Sequence, residues 1–125
     1  VDPSQTSSYG IVEVEKLKSY QRIINIVEKP KPEEAPSNLA VVGRYILTPR
    51  IFDLLSNLPR GAGGEIQLTD GIARLLDHEF VFAHAFDGKR YDCGSKLGYL
   101  EATVAYGLKH PETGEQFKEL LKQYA

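Results

Sequence analysis

From Tyr9 the chain alternates apolar and polar positions: Tyr9-Gly10-Ile11-Val12-Glu13-Val14-Glu15, a short connection at 16–19, then a second run from Tyr20 to Glu28. Alternation of period two in β-branched residues predicts two strands joined as a hairpin. In the second run Ile24, Ile26 and Glu28 share one predicted face, and Ile23, Val27 and Lys29 the other. Residues 30–38 hold three prolines, Pro30, Pro32 and Pro36, which exclude a helix or central strand and predict a stiff exposed loop. Residues 39–47 (LAVVGRYIL) are almost continuously apolar, the pattern of a strand buried on both faces. Residues 1–8 are polar and read as an extended lead-in.

Helical periodicity begins after Thr48-Pro49, with Thr48 expected at the N-cap, Pro49 at the first helical position, and Ile51, Phe52, Leu54 and Leu55 facing inward. The glycines of residues 59–64 predict a mobile loop. A second helix is expected from Thr69 or Asp70, with Ile72, Leu75 and Leu76 at helical spacing. Residues 80–86 alternate as a strand, and residues 89–92 read as a further short extended piece. Leu97, Leu100, Val104 and Leu108 then repeat at three and four residues up to Pro111. Thr113-Gly114-Glu115-Gln116 has the form of a capping box for a last helix buried through Phe117, Leu120, Leu121 and Tyr124. The whole is α/β with a helical C-terminal end.

Composition narrows the function classes. The 125 residues are 42% hydrophobic and 26% charged, which suits one globular domain rather than a disordered chain. Fifteen basic against seventeen acidic side chains give a formal charge of −2, without the basic footprint that nucleic acid or anionic lipid requires. No apolar run approaches the roughly 20 residues of a membrane span. A single cysteine, Cys93, makes no internal disulfide, so a reducing cytoplasm is expected. The chain lacks methionine and opens at Val1, which leads to the expectation that it is a segment of a longer reading frame.

Among candidate chemistry, no glycine-rich loop leads into Lys-Ser/Thr and no Gly-x-Gly-x-x-Gly opens a helix. His78, His84 and His110 are too scattered, with Cys93, for a zinc site, and Cys93 itself reads as a small buried thiol. Three groups remain. Glu28-Lys29 closes a strand at a proline-rich loop, where a carboxylate accepts hydrogen bonds from sugar hydroxyls and an ammonium neutralises phosphate; an ordinary exposed ion pair fits as well. Asp92 precedes a helix start, suited either to Mg2+ or phosphate or to capping. Gly10 within a strand admits a ligand close to the backbone, or marks a bulge.

Three segments, IVEKPKPEEAPSNLAVVGRYILTP, GAGGEIQLTDGIARLL and KRYDCGSKLGYLEATVAYGLKHP, together resemble the C-terminal half of the bacterial UTP–glucose-1-phosphate uridylyltransferases, within the sugar nucleotidyltransferases. The Glu-Lys-Pro element is common to many of those enzymes; the proline-rich insert, GGEIQLTD and YDCGSKLGYLEA are more specific. The resemblance covers the chain from about Tyr9 onward. It implies the C-terminal part of a Rossmann-like mixed sheet: a β-hairpin, a buried strand, flanking helices and a helical end. By that division residues 1–8 lead in, 9–95 form the sugar-binding portion, and 96–125 are C-terminal helices.

The resemblance also implies roles. Glu28 would bind glucose hydroxyls and Lys29 the phosphate of glucose 1-phosphate, while Gly10 and Val41 would contact the sugar ring. Asp92 would supply one of two carboxylates holding a catalytic Mg2+. Related thymidylyltransferases have threonine where Cys93 stands, a neutral exchange of small residues. The implied reaction makes UDP-glucose and pyrophosphate from UTP and glucose 1-phosphate, with Lys29 and Asp92 as its catalytic groups here. The family's glycine-rich UTP loop, uracil pocket and second metal-binding aspartate have no counterpart in this sequence. Such transfer rests on positioning and electrostatic stabilisation, so the chain alone is expected to be inactive and to partner an N-terminal half. A homo-oligomer is expected, with Leu108, Phe117, Leu121 and Tyr124 either at a subunit interface or packed within the chain. The alternatives are a non-catalytic module binding sugar phosphate or protein, and part of a thymidylyl- or cytidylyltransferase.

Overall fold

A computed structural model describes residues 1–124, leaving aside the side chain of Ala62. The chain divides into two compact units, Val1–Ala85 and Phe86–Ala125. The architecture is mixed α/β, with a three-stranded antiparallel sheet and helices.

In the first unit, β1 (Gly10–Leu17) and β2 (Tyr20–Glu28) form the expected hairpin, Leu17 opposite Tyr20 across a two-residue turn. Lys18 takes φ 50° there, the sign of φ that such tight turns need. The predicted alternation in β2 fails at one place. Glu13 faces Asn25 while Val14 faces Ile23, so Ile24 is an extra, bulged residue. The bulge resets the phase: Ile23 and Ile26 are buried and Ile24 is exposed, contrary to the expected pairing of Ile24 with Ile26. The third strand, β3 (Phe82–Ala83), is a two-residue remnant of the strand expected over 80–86, paired with Gln21 and Arg22.

Residues 39–47 do not form the strand their composition predicts. Ile11 bridges Ala40, with Val12 N–H donating to Leu39 O at 3.0 Å and Val41 N–H to Gly10 O at 2.8 Å. Beyond that the run leaves the sheet. Gly43 turns the chain at φ 68°, and Ile46 is fully exposed. Apolar composition asks for cover on both faces, but ladder pairing here ends at one bridge.

Helix α1 (Arg50–Ser56) starts one residue later than expected, with Pro49 at the cap. The Thr48 hydroxyl donates instead to Glu79 Oε2 at 2.9 Å, and Arg50 Nε donates to Glu79 Oε1 at 2.9 Å. Ile51 faces inward with Leu54 and Leu55 half-buried, but Phe52 is 70% exposed rather than part of that stripe. Helix α2 (Leu68–Leu75) packs on β2 and on α1. A Cβ at its Gly71 would lie 2.7 Å from Leu55 Cδ2, so glycine there sets the approach of the two helices. Val12, Ile23, Ile26, Ile51, Ile72 and Leu75 make the core. Burial of one such side chain stabilises by about 1.5–3 kcal/mol. Residues 3–8 form a 3-10 helix started by Asp2, whose carboxylate accepts from Ser4 N–H, not an extended lead-in. Residues 62–64 make a short 3-10 turn, closed by Gly61 N–H donating to Glu65 O at 2.8 Å.

The second unit is α3 (Lys96–Lys109) and α4 (Gly114–Leu121), preceded by irregular backbone at 86–92 where a short extended piece was expected. Its helices match the predicted periodicity in position. The capping box does not form: Thr113 caps α4 without a side-chain bond. Phe117 and Leu121 are half-buried, while Leu120 and Tyr124 are exposed, against the burial expected of all four. The helices meet at glycines, a Cβ at Gly107 falling 2.7 Å from the Phe117 ring.

Candidate functional site

The antiparallel register brings the first strand residue opposite the last one of its partner, Gly10 against Glu28. Both stand at the end of the sheet where residues 40–41 also join it, through the Val41 N–H bond to Gly10 O. The side chains follow. A Cβ at Gly10 would sit 2.7 Å from Thr69 Cγ2, 3.3 Å from Glu28 Oε2 and 3.7 Å from Val41 Cγ2. Gly10, Glu28, Val41 and Thr69 therefore pack against one another, an approach that the missing side chain at Gly10 permits. The glycine does not mark the bulge; the bulge lies at Ile24.

Glu28 is the polar centre of this cluster. Its Oε2 accepts from Thr69 Oγ1 at 2.8 Å, and its Oε1 lies 3.7 Å from Lys29 Nζ. The Glu28 side chain is 16% exposed and that of Lys29 56%, so the carboxylate is sheltered and the ammonium faces water. Lys29 takes φ 45°, a left-handed backbone uncommon for a residue with a side chain. Its N–H donates to Tyr9 O at 3.0 Å, which ties this turn to the start of β1. Strain of this kind is held in place by its surroundings and clusters at functional sites. Tyr45 adds a phenol whose pKa is raised, by burial first and by the Glu28 charge second.

Asp92 belongs to the second unit, on the turn before α3. It does not cap the helix: Ser95 does, its Oγ accepting from Gly98 N–H at 3.0 Å. Asp92 Oδ1 accepts instead from Gly94 N–H at 3.0 Å, and Oδ2 lies 3.6 Å from Arg90. Among the described residues no three His, Cys, Asp or Glu side chains gather as a metal site. A magnesium ion is often held by one or two carboxylates with substrate phosphates completing its shell. Asp92 fits such an ion as a single ligand and no more. Cys93 is exposed, not buried as expected.

Two residues of the first cluster escaped the sequence reading. Thr69 was visible only as a helix start, although it lies within the quoted GGEIQLTD segment. Tyr45 carried no signal, because nothing local shows that the chain turns at Gly43.

No helix among the described residues is long and apolar enough to cross a membrane. Comparison with known proteins adds relatives of consistent kind. A UTP–glucose-1-phosphate uridylyltransferase of Staphylococcus epidermidis is 48% identical over 98% of this chain and 43% of its own length. One from Pseudomonas aeruginosa is 53% identical over 82% of this chain and 37% of its own length. Among solved structures, a UDP-glucose pyrophosphorylase complexed with UDP-glucose matches with a TM-score of 0.83 at 48% identity, over 88% of this chain and 42% of that one. A UTP-bound UGPase from Acinetobacter baumannii matches with a TM-score of 0.84 at 46% identity, over all of this chain and 43% of that one. This chain thus spans less than half the length of these relatives. The nucleotidyl transferase family model matches residues 1–108, which hold the whole Gly10–Glu28–Thr69 cluster and Asp92, and the chain belongs to that family.

Proposed function

We propose that this chain carries the sugar-phosphate-binding part of an enzyme that makes UDP-glucose and pyrophosphate from UTP and glucose 1-phosphate. The observation that carries this reading is the sheltered Glu28 carboxylate at the end of β2, packed beside Gly10 and followed by an exposed lysine. Each group has a task. An ionised carboxylate only accepts hydrogen bonds, and its two oxygens carry lone pairs for neighbouring sugar hydroxyls besides the Thr69 bond. Gly10 and Val41 stand beside that carboxylate to contact the sugar ring, and any side chain at position 10 would collide with the Thr69 methyl and disturb the cluster. Lys29, a mobile point charge, neutralises the sugar phosphate and holds it for in-line attack on the α-phosphorus of UTP.

Asp92 offers one oxygen to a divalent cation, Mg2+ in this reading, which when bound spreads the charge that develops on the transferring phosphoryl group. Transfer of this kind is mostly positioning and electrostatics, so residues that seat the sugar phosphate alone do not catalyse it. The chain by itself binds and does not turn over; the full reaction needs a nucleotide-binding segment of the kind the longer relatives have room for. In the cell the reading places it in the cytoplasm as part of a homo-oligomer, with Leu108, Phe117, Leu121 and Tyr124 as the residues to test for subunit contact.

The test is a calorimetric titration of this chain with UDP-glucose and Mg2+, beside Glu28→Ala. Binding by the parent chain and its loss in the variant is the expected result. Equal binding by a folded Glu28→Ala chain, or none by the folded parent, overturns the reading.

A further inference from the structure

The hydrogen bond from Thr69 Oγ1 to Glu28 Oε2 joins residues 41 apart in sequence, from the first turn of α2 to the last residue of β2. A threonine hydroxyl inside a helix usually bonds back to a carbonyl of the preceding turn. Here it leaves the helix. Thr69 is 6% exposed, and its other branch, Cγ2, lies where it would be 2.7 Å from any Cβ at Gly10. Threonine is stiff at χ1, and with its methyl against Gly10 its hydroxyl lies on the carboxylate. Both branches are in use at once, one on backbone and one on the carboxylate.

Glutamate has three rotatable side-chain bonds, and a ligand that needs one carboxylate orientation loses affinity for every alternative it must freeze out. We propose that Thr69 is the positioning residue of the site: by donating to Oε2 it holds Glu28 in one rotamer before ligand arrives. Oε1 then stays on the side of Lys29, and the acceptor positions that Thr69 does not use are left for the ligand. The inference rests on reading Glu28 as the acceptor of sugar hydroxyls. It adds that α2, which touches neither phosphate nor nucleotide in that reading, sets the affinity through one hydroxyl proton. Position 69 then tolerates serine, which keeps the donor, but not valine, which keeps the shape and loses it.

Three measurements on this chain test the proposal. In the parent protein the Thr69 hydroxyl proton should exchange slowly with water by NMR; fast exchange overturns the bond itself, whatever becomes of the variants. Glu28 side-chain couplings should report a single rotamer in the parent and in Thr69→Ser, and averaging in Thr69→Val at a matched melting temperature. A single rotamer in Thr69→Val, or averaging in both variants, overturns the positioning role. Titration with glucose 1-phosphate should then give a Kd about tenfold weaker for Thr69→Val, recovered in Thr69→Ser, and tenfold is what loss of one such orienting bond amounts to. Equal Kd in parent and valine variant overturns the link to binding. A parent chain that holds Glu28 in one rotamer but takes no glucose 1-phosphate overturns the sugar-site reading while leaving the Thr69–Glu28 coupling standing.

Discussion

Between residues 1 and 85, seven apolar side chains are buried, drawn from both long strands and both helices of that unit. Between residues 86 and 124 none is, among those described; only Gly114 is buried. The second unit is joined by near contacts instead. Phe117 lies over Gly107, the Tyr91 and Tyr106 rings meet edge-on at 5.8 Å, and Lys89 pairs with Glu101. The difference is one of sequence separation. In the first unit, residues far apart in the chain share one core, so a carboxylate on a strand can be aimed by a helix 41 positions away. In the second, these contacts join residues 10 to 15 positions apart, and its notable carboxylate, Asp92, meets Arg90 and Gly94, two residues to either side.

Truncating the shared core should give the largest effect. Leu75→Ala removes a side chain 1% exposed and should destabilise the first unit by about 3 kcal/mol. Urea unfolding followed by amide signals of β2 would measure it; a loss below about 1 kcal/mol would mean that the core is not what holds the sheet. Next comes Gly10→Ala. Its Cβ meets the Thr69 methyl, so the strand end or α2 must shift, at about 2 kcal/mol. The same denaturation reads the cost, and UDP-glucose binding should fall with it. In the second unit Phe117→Ala should cost less, about 1 kcal/mol, because the ring is only half-buried. Loss of protection confined to α3 and α4 in hydrogen exchange would agree; an effect as large as that of Leu75→Ala would erase the contrast between the units.

The smallest effects are in titration, and they separate the units by cause. Burial, ahead of the Glu28 charge, raises the Tyr45 phenol above its ordinary 10.0. A hydrogen bond from Lys89 to Glu101, ahead of their charge attraction, raises the Lys89 ammonium above 10.5. Both are raised in the fold, so each contributes stability that is whole below the unfolded pKa and is lost as pH rises through the folded value. Glu28→Gln should therefore lower the Tyr45 pKa only in part, because burial persists. Glu101→Ala, which removes both the bond and the charge, should lower Lys89 toward its ordinary value. Ultraviolet titration of the phenol and NMR titration of the lysine would measure the two, and a complete return of Tyr45 would place charge ahead of burial.

The sequence alone determined what depends on neighbours in the chain. The hairpin from Gly10–Leu17 to Tyr20–Glu28, the proline loop after it, and the periodic helices α2, α3 and α4 all follow from period and turn chemistry over a few residues. The resemblance in its motifs pointed to the family, and with it to Gly10, Glu28, Lys29 and Val41 as one group. Tertiary structure decided everything that depends on a partner far away. Pairing with β1 placed the bulge at Ile24 and so chose Ile23 for the core. One bridge at Ala40, and the turn at Gly43, kept residues 39–47 out of the sheet despite their apolar run. Glu79 took the Thr48 hydroxyl from the helix it was expected to cap, and Glu28 took that of Thr69. A hydroxyl or a β-branched side chain has several comparable local options, and the long-range neighbour that satisfies one of them is written nowhere in the residues beside it.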